Sequence, residues 1–352
     1  MKKSLIALAV LAAAGSASAQ SSVTLFGIVD ATLAFGRGSI SDKTQLTNSG
    51  YNSSRLGFRG TEDLGGGMAA SFWLEAGVTN DDGRGAATNT NNQATGGAVA
   101  GIGGGQGLTF NRRSTVSLSG GWGELRLGRD YNPAFWNLTV FDPFGTNGVG
   151  TTQTLNSIIT GVTAVRTSNS MGYFLPGNIG GFYGQVQHYR GENNSGAATS
   201  RDGTGTGVRV GFASGPFNVA LATARTKYAA GNTRQSNLGG QWDFGIGKLQ
   251  AHISRDSAGA LDGRGWLIGG LFPVGAGEIR AAYSRYETDA AGNPESKKIA
   301  LGYVHNLSKR TAVYTTWARV RNSGGAASAL NGSATGINTS SSGLDLGVRH
   351  SF

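Results

Sequence analysis

The sequence has no cysteine, and only 6 prolines and 4 histidines in 352 residues. Without a thiol there is no disulfide framework and no cysteine nucleophile. His188, His252, His305 and His350 stand far apart, without the spacing of a metal-ligand set. No carboxylate pair or Ser/His/Asp grouping stands out, so nothing points to an enzyme. Helix-period apolar runs are missing too. Past the first twenty residues, no apolar stretch could span a bilayer as a helix. Mean hydropathy is −0.18, too polar for a helical membrane protein but compatible with membrane strands, whose two faces alternate.

What is plentiful is glycine, 60 residues in all. Each would cost roughly 1 kcal/mol at a helical position, so the chain is read as all-β with no helix. The first residues, "MKKSLIALAVLAAAGSASAQ", carry Lys2 and Lys3, a short apolar run and Ala17-Ser18-Ala19. That is the pattern of a cleaved export signal over residues 1–19, leaving 20–352 as one mature domain. The formal charge is +10; without Lys2 and Lys3 the mature chain has 30 − 2 = 28 basic against 20 acidic residues, or +8. The basic residues are scattered singly, and an exported chain does not meet nucleic acid. Anionic lipid and anionic solutes remain as partners.

Period-two runs recur. "STVSLSG" alternates Val116 and Leu118 with serines. "ELRLGRD" sets Leu125 and Leu127 against Arg126. "LQAHIS", "EIRAAYSR" and "KIALGYVH" repeat the pattern, and the chain ends on "GLDLGVRHSF". Seven short glycine- or asparagine-bearing turns are expected at 63–67, 120–123, 176–181, 214–216, 244–248, 273–278 and 306–309. Between them lie eight long polar loops, at 36–54, 79–109, 130–166, 190–205, 228–234, 255–263, 287–297 and 320–342. Fifteen connections make sixteen strands. Alternation of short turns with long loops is the asymmetry of an outer-membrane barrel. An even strand number lets the last strand close against the first, which lipid requires because an open edge leaves backbone groups unsatisfied. Trp73, Tyr173, Phe182, Tyr183, Trp242, Phe244, Phe272 and Tyr314 fall near expected strand ends, as an interfacial girdle would.

The blocks "SSRLGFRGTEDLGGGMAASFWLE", "RRSTVSLSGGWGELRLGRD", "LGYVHNLSKRTAVY" and the terminal "GVRHSF" span the mature chain. In them the sequence resembles the Gram-negative general porins, in particular their anion-selective branch. The resemblance implies an outer-membrane homotrimer of sixteen-stranded barrels with a third loop folded inward. It implies contact with outer-membrane lipid and lipopolysaccharide, and recognition of Phe352 by the assembly machinery. It implies no cofactor. It further implies an eyelet whose basic wall includes Arg55, Arg112 and Arg166, facing a third loop in which "FDPFG" supplies Asp142. Alternation adds Arg59 beside Arg55, and places Arg126 in the lumen. Strict alternation favours Arg113 over Arg112; the resemblance assigns Arg112, and both are carried forward. Such a ring would enrich small anions and repel cations. The function expected is passive diffusion of small hydrophilic solutes with an anion preference. Two alternatives are a channel preferring phosphate or small carboxylates, and an exported β-rich adhesin. A solenoid would need a fixed short repeat, and none is seen. "GIGGGQG" at 101–107 lacks the lysine of a phosphate loop. Asp63, Asp81 and Asp82 are read as solvated or salt-bridged rather than as cation ligands.

Overall fold

Local alternation becomes strand pairing wherever one face must be apolar and the other polar. In the computed structural model, which describes residues 22–96, 107–156 and 161–352, eighteen strands form. They are β1 (Ser22–Arg37), β2 (Lys43–Asn48), β3 (Arg55–Gly65), β4 (Met68–Thr79), β5 (Arg84–Gly85), β6 (Arg113–Gly120), β7 (Gly123–Tyr131), β8 (Arg166–Phe174) and β9 (Phe182–Tyr189). The rest are β10 (Gly205–Ser214), β11 (Phe217–Thr226), β12 (Thr233–Asp243), β13 (Lys248–Ala258), β14 (Leu261–Val274), β15 (Gly277–Thr288), β16 (Glu295–Asn306), β17 (Thr311–Ser323) and β18 (Ser340–Ser351). The leader at 1–19 lies outside the described residues, as does most of "GIGGGQG".

β2 and β3 lie end to end along one edge of β1, with Ala31 opposite Asn48 and Ile28 opposite Arg55. They count as one interrupted wall strand. β5 is a two-residue arm on the end of β4. The wall therefore has 18 − 2 = 16 strands, all antiparallel. β18 returns to β1 in the register Val29 to His350 and Leu33 to Leu346. Beyond it the Gly27 and Phe352 backbones exchange two hydrogen bonds, of 3.0 and 3.1 Å. The terminal phenylalanine thus seals the seam, with its ring lying over Gly27. Closure leaves the wall strands paired on both sides, apart from β2, which pairs only with β1 among the described residues.

The wall is amphipathic as its sequence demands. Val116, Leu118, Val210, Leu221, Ile253 and Ile268 are exposed on the outside, while Ser117, Arg209, Gln250 and His252 on the intervening positions are buried. All seven short turns fall where expected. At their level, stacked or edge-on aromatic pairs line the outside: Trp122 with Tyr173, Phe217 with Trp242, and Phe244 with Phe272. Trp73, Tyr183 and Tyr314 do not belong to this girdle. Trp73 donates to Glu75, Tyr183 to Asn218, and Tyr314 packs inside against Thr32 and Tyr51. A second correction concerns 255–263. Instead of a long loop, pairing runs on to Ala258 opposite Leu261, with a turn at 259–260. The strands there overshoot into water, where polar residues suit both faces.

The connection from β7 to β8 has more structure than its sequence suggests. Pro133–Val140 forms a helix, α1, which corrects the expectation of a chain without helices. Asn132 caps it by accepting from the Ala134 amide at 3.0 Å, and Pro133 takes the first helical position. Both are standard start signals, but eight residues carry too little periodicity to be seen. The connection lies against the polar face of β10 to β18. Asn137 donates to the Ala220 carbonyl and to Asn237. The Gln153 amide donates to Ser284, and the Val149 amide to Asp345. Glycine makes the close approach possible. A Cβ on Gly239 would stand 2.1 Å from the Phe141 ring, and one on Gly269 2.8 Å from Pro143. Phe144 and Val149 complete a packed cluster with Leu267, Ala282, Ala300, Ala318 and Val320. One side of the interior is therefore a dry core, not the uniformly wet lumen that alternation alone implies.

Candidate functional site: a basic wall facing a packed loop

Opposite that core, β3 and β6 to β8 present arginines inward, with Glu75 of β4 among them. Arg55 begins β3, Arg166 begins β8, and Arg112 lies just ahead of β6. The three converge. Glu75 of β4 accepts from Arg112 Nε at 2.5 Å and from an Arg55 guanidinium nitrogen at 3.3 Å. Arg112 and Arg166 each donate to the Tyr131 hydroxyl at 3.3 Å, and Arg166 Nε donates to the Arg112 carbonyl at 2.9 Å. The Arg166 guanidinium sits 4.7 Å from the Tyr131 ring centre, within cation–π range. Arg55, Arg112 and Arg166 line one cavity of about 540 Å³ together with the tip of the loop, Phe144 to Asn147.

The choice between Arg112 and Arg113 dissolves, because both point inward. Arg113 follows the alternation: it donates to Thr115 at 3.0 Å, stacks 4.6 Å from the Trp73 ring and lies 3.9 Å from Asp130. Arg112 is outside the strand, so the period does not bind it. Arg59 lies between the Phe26 and Trp73 rings, at 5.4 and 5.2 Å. Arg126 pairs with Glu124 at 2.8 Å and Asp130 at 2.6 Å, and its guanidinium covers the Phe174 ring at 3.9 Å. Four of these six arginines pair with three carboxylates, Glu75, Glu124 and Asp130, while Arg59 and Arg166 have no carboxylate contact among the described residues, so the group carries a surplus of 6 − 3 = +3. Guanidinium groups keep their charge and stack on rings, which suits them to such a wall.

Asp142 lies in the same cavity lining but is buried. Its carboxylate accepts from the Phe144, Thr152 and Thr146 amides at 2.9, 2.9 and 3.2 Å. Burial pushes its carboxyl above the usual range, against the pull of those amides and of Lys298. It ties the loop to itself. Asp63, Asp81 and Asp82 are likewise engaged locally, with Gly65, Asn48 and Arg84.

Comparison with known proteins fits this geometry. A family model described as Gram-negative porin matches residues 5–325. This chain belongs to that family. The porin is 38% identical over 375 aligned positions to outer membrane porin protein 32 of Delftia acidovorans, and covers 100% of each chain. It is 28% identical to an outer membrane porin protein of Bordetella pertussis, again over 100% of both chains. Among solved structures, an anion-selective porin from Comamonas acidovorans superposes with a TM-score of 0.82 at 34% identity, covering 95% of this chain and 100% of that one. The porin resides in the outer membrane, and its barrel is a passive channel.

Four residues around the cavity escape a reading by motif. Glu75 and Tyr131 organise the arginines, yet neither is distinctive in sequence. Arg280 of β15 lines the cavity from the far side, paired with Glu278 at 2.7 Å and stacked 4.5 Å from Tyr51. Arg349 of β18 stands 5.2 Å from the same Tyr51 ring. Both occupy polar positions in alternating runs, so the signal was present. The interruption between β2 and β3 turns Tyr51 inward: Asp30 accepts from the Tyr51 and Asn52 amides at 2.9 and 2.6 Å.

Proposed function

We propose that this porin passes small hydrophilic solutes with a preference for anions. Its selective element is the constriction between the β7–β8 loop and the wall of Arg55, Arg112 and Arg166, with Arg59, Arg113 and Arg126 along the path. The observation that carries this reading is convergence: three arginines from separate stretches of the chain line one cavity, two of them sharing Glu75 and two sharing the Tyr131 hydroxyl. In a narrow space bounded by low-dielectric protein, that surplus raises the local concentration of anions and lowers that of cations. Asp142 acts by holding the loop in shape. The selectivity named for the Comamonas acidovorans porin agrees with this reading. The channel moves solutes without chemical change and without a cofactor. Residues 1–19 serve as the export signal, and 20–352 form the barrel. The working unit is a homotrimer in contact with outer-membrane lipid and lipopolysaccharide, and Phe352 is the feature read by the assembly machinery. Liposome swelling tests the function: a small carboxylate should enter faster than a neutral sugar of equal size. Equal rates would remove the anion preference and leave an unselective channel.

A further inference from the structure

The inward face of a channel wall is expected to be polar. Phe26 of β1, Trp73 of β4 and Phe174 of β8 depart from this, lying in phase with the buried Asp30, Glu75 and Ser170 of the same strands. Each ring carries a guanidinium. Arg59 stands 5.4 Å from the Phe26 ring and 5.2 Å from the Trp73 ring, Arg113 4.6 Å from Trp73, and Arg126 3.9 Å from Phe174. Further round the wall, Arg209 stands 4.8 Å from Tyr183. Most of these arginines are committed elsewhere. Arg113 donates to Thr115, Arg126 pairs with Glu124 and Asp130, and Arg209 donates to Asn137. Arg59 differs: it is exposed, and makes no hydrogen bond or ion pair among the described residues. The five N–H donors of its fork are open to solvent. The rings beside it are held. Phe26 lies over Gly57, where a Cβ would stand 2.3 Å from the ring. The Trp73 indole N–H is fixed by Glu75 at 3.1 Å. The two rings meet edge to face with centroids 5.1 Å apart. Arg59 follows Arg55 along β3 toward the short turn, so this shelf lies beyond the constriction.

We infer that Arg59, Phe26 and Trp73 form a docking site for planar aromatic carboxylates, the benzoate class, on the short-turn side of the constriction. The carboxylate takes the Arg59 fork bidentately. The ring packs on the same shelf, edge-on or offset against Phe26 and Trp73. An inorganic anion would use the fork alone, and an aliphatic acid gains nothing from ring geometry. An uncommitted guanidinium beside two positioned rings is what favours an aromatic acid. Arg126 and Arg209 are buried as well as bonded, so they hold their rings without a free fork to offer. This inference rests on the proposed anion preference and narrows it to a substrate class.

The test is block of the potassium chloride current through single channels of the purified protein in a planar bilayer at neutral pH. Benzoate is the probe. Cyclohexanecarboxylate keeps the charge without the aromatic ring, and benzamide keeps the ring without the charge. The expected result is concentration-dependent block by benzoate, with both comparison compounds weaker. Arg59→Gln should weaken benzoate block roughly tenfold by removing a charged hydrogen-bond partner. Phe26→Leu should weaken it roughly threefold by removing one aromatic contact. Phe217→Leu, on the outer face, should leave it unchanged. Equal block by benzoate and cyclohexanecarboxylate overturns the inference with the parent protein alone, whether or not the variants fold. Equal block by benzamide would make the shelf a site for neutral rings, and undiminished block in both inward variants would put the site elsewhere. Either result also overturns the inference. The reversal potential of the same parent channels is recorded without additive. A chloride-side potential with no preference for benzoate fails this inference alone, whereas a potassium-side potential fails the anion preference beneath it.

Discussion

Arg166→Gln removes a charge that no carboxylate touches among the described residues. Its guanidinium donates to the Arg112 carbonyl at 2.9 Å and the Tyr131 hydroxyl at 3.3 Å. Its field therefore reaches the channel without a contact partner to cancel it. An ion passing about 5 Å away feels roughly 0.8 kcal/mol at the dielectric constant of water. Screening at physiological salt reduces this to roughly 0.4 kcal/mol. Chloride loses that attraction while potassium loses the matching repulsion, so the two effects add. The chloride-to-potassium permeability ratio should fall about fourfold. Low-dielectric walls would enlarge the effect, so fourfold is the conservative figure. The assay is the reversal potential of single channels in a salt gradient, with Arg166→Lys as a control that keeps the charge. A ratio unchanged in Arg166→Gln, from protein that still migrates as a folded barrel, would refute the role of this residue.

Three further outcomes follow from the same geometry. Glu75→Gln takes away the carboxylate shared by Arg55 and Arg112, and should raise the permeability ratio by a similar factor, about fourfold, in the same recording; a fall would mean the arginines lose their place without it. Gly239→Leu drives a side chain into the Phe141 ring. It should cost about 1–3 kcal/mol by overpacking, lower the melting temperature and, by unseating the loop, increase single-channel conductance. Asp142 gives a pH dependence. Its carboxyl is held above the usual range in the seated loop, so the seated loop binds a proton that an open loop would release. Its contribution to seating is fully present below the ordinary carboxylate pKa and is lost as pH rises through the seated value. Open-channel noise should therefore increase from acid to neutral pH, and Asp142→Asn should flatten that trend.

The wall was largely legible because its rules are local. Alternation and turn residues act within a few positions, so "STVSLSG" and "GGWG" already define β6, its turn and the start of β7. Register followed too: Val116 and Leu118 face out, and Arg113 faces in. Arg112 was harder, since a residue one step beyond a strand escapes the period, and its contacts with Glu75 and Tyr131 show where it points. The interior was not legible in the same way. Gly239 and Gly269 look like weak strand residues until Phe141 and Pro143 are seen against them. Asp142 looks like a luminal acid until three amides are found on it. Both depend on partners about 100 residues or more away in sequence, or on a fold of the loop that no short motif encodes. Trp73 and Tyr314 were misplaced for a related reason: an aromatic near a strand end suits a lipid interface and an inward polar contact equally well.

The central claim is that a closed porin barrel selects anions through converging arginines. The most direct test is the reversal potential of the parent protein in a planar bilayer under a potassium chloride gradient. The account predicts stepwise channels whose potential lies on the chloride side of zero. A potential on the potassium side, from the same stepwise channels, would contradict it.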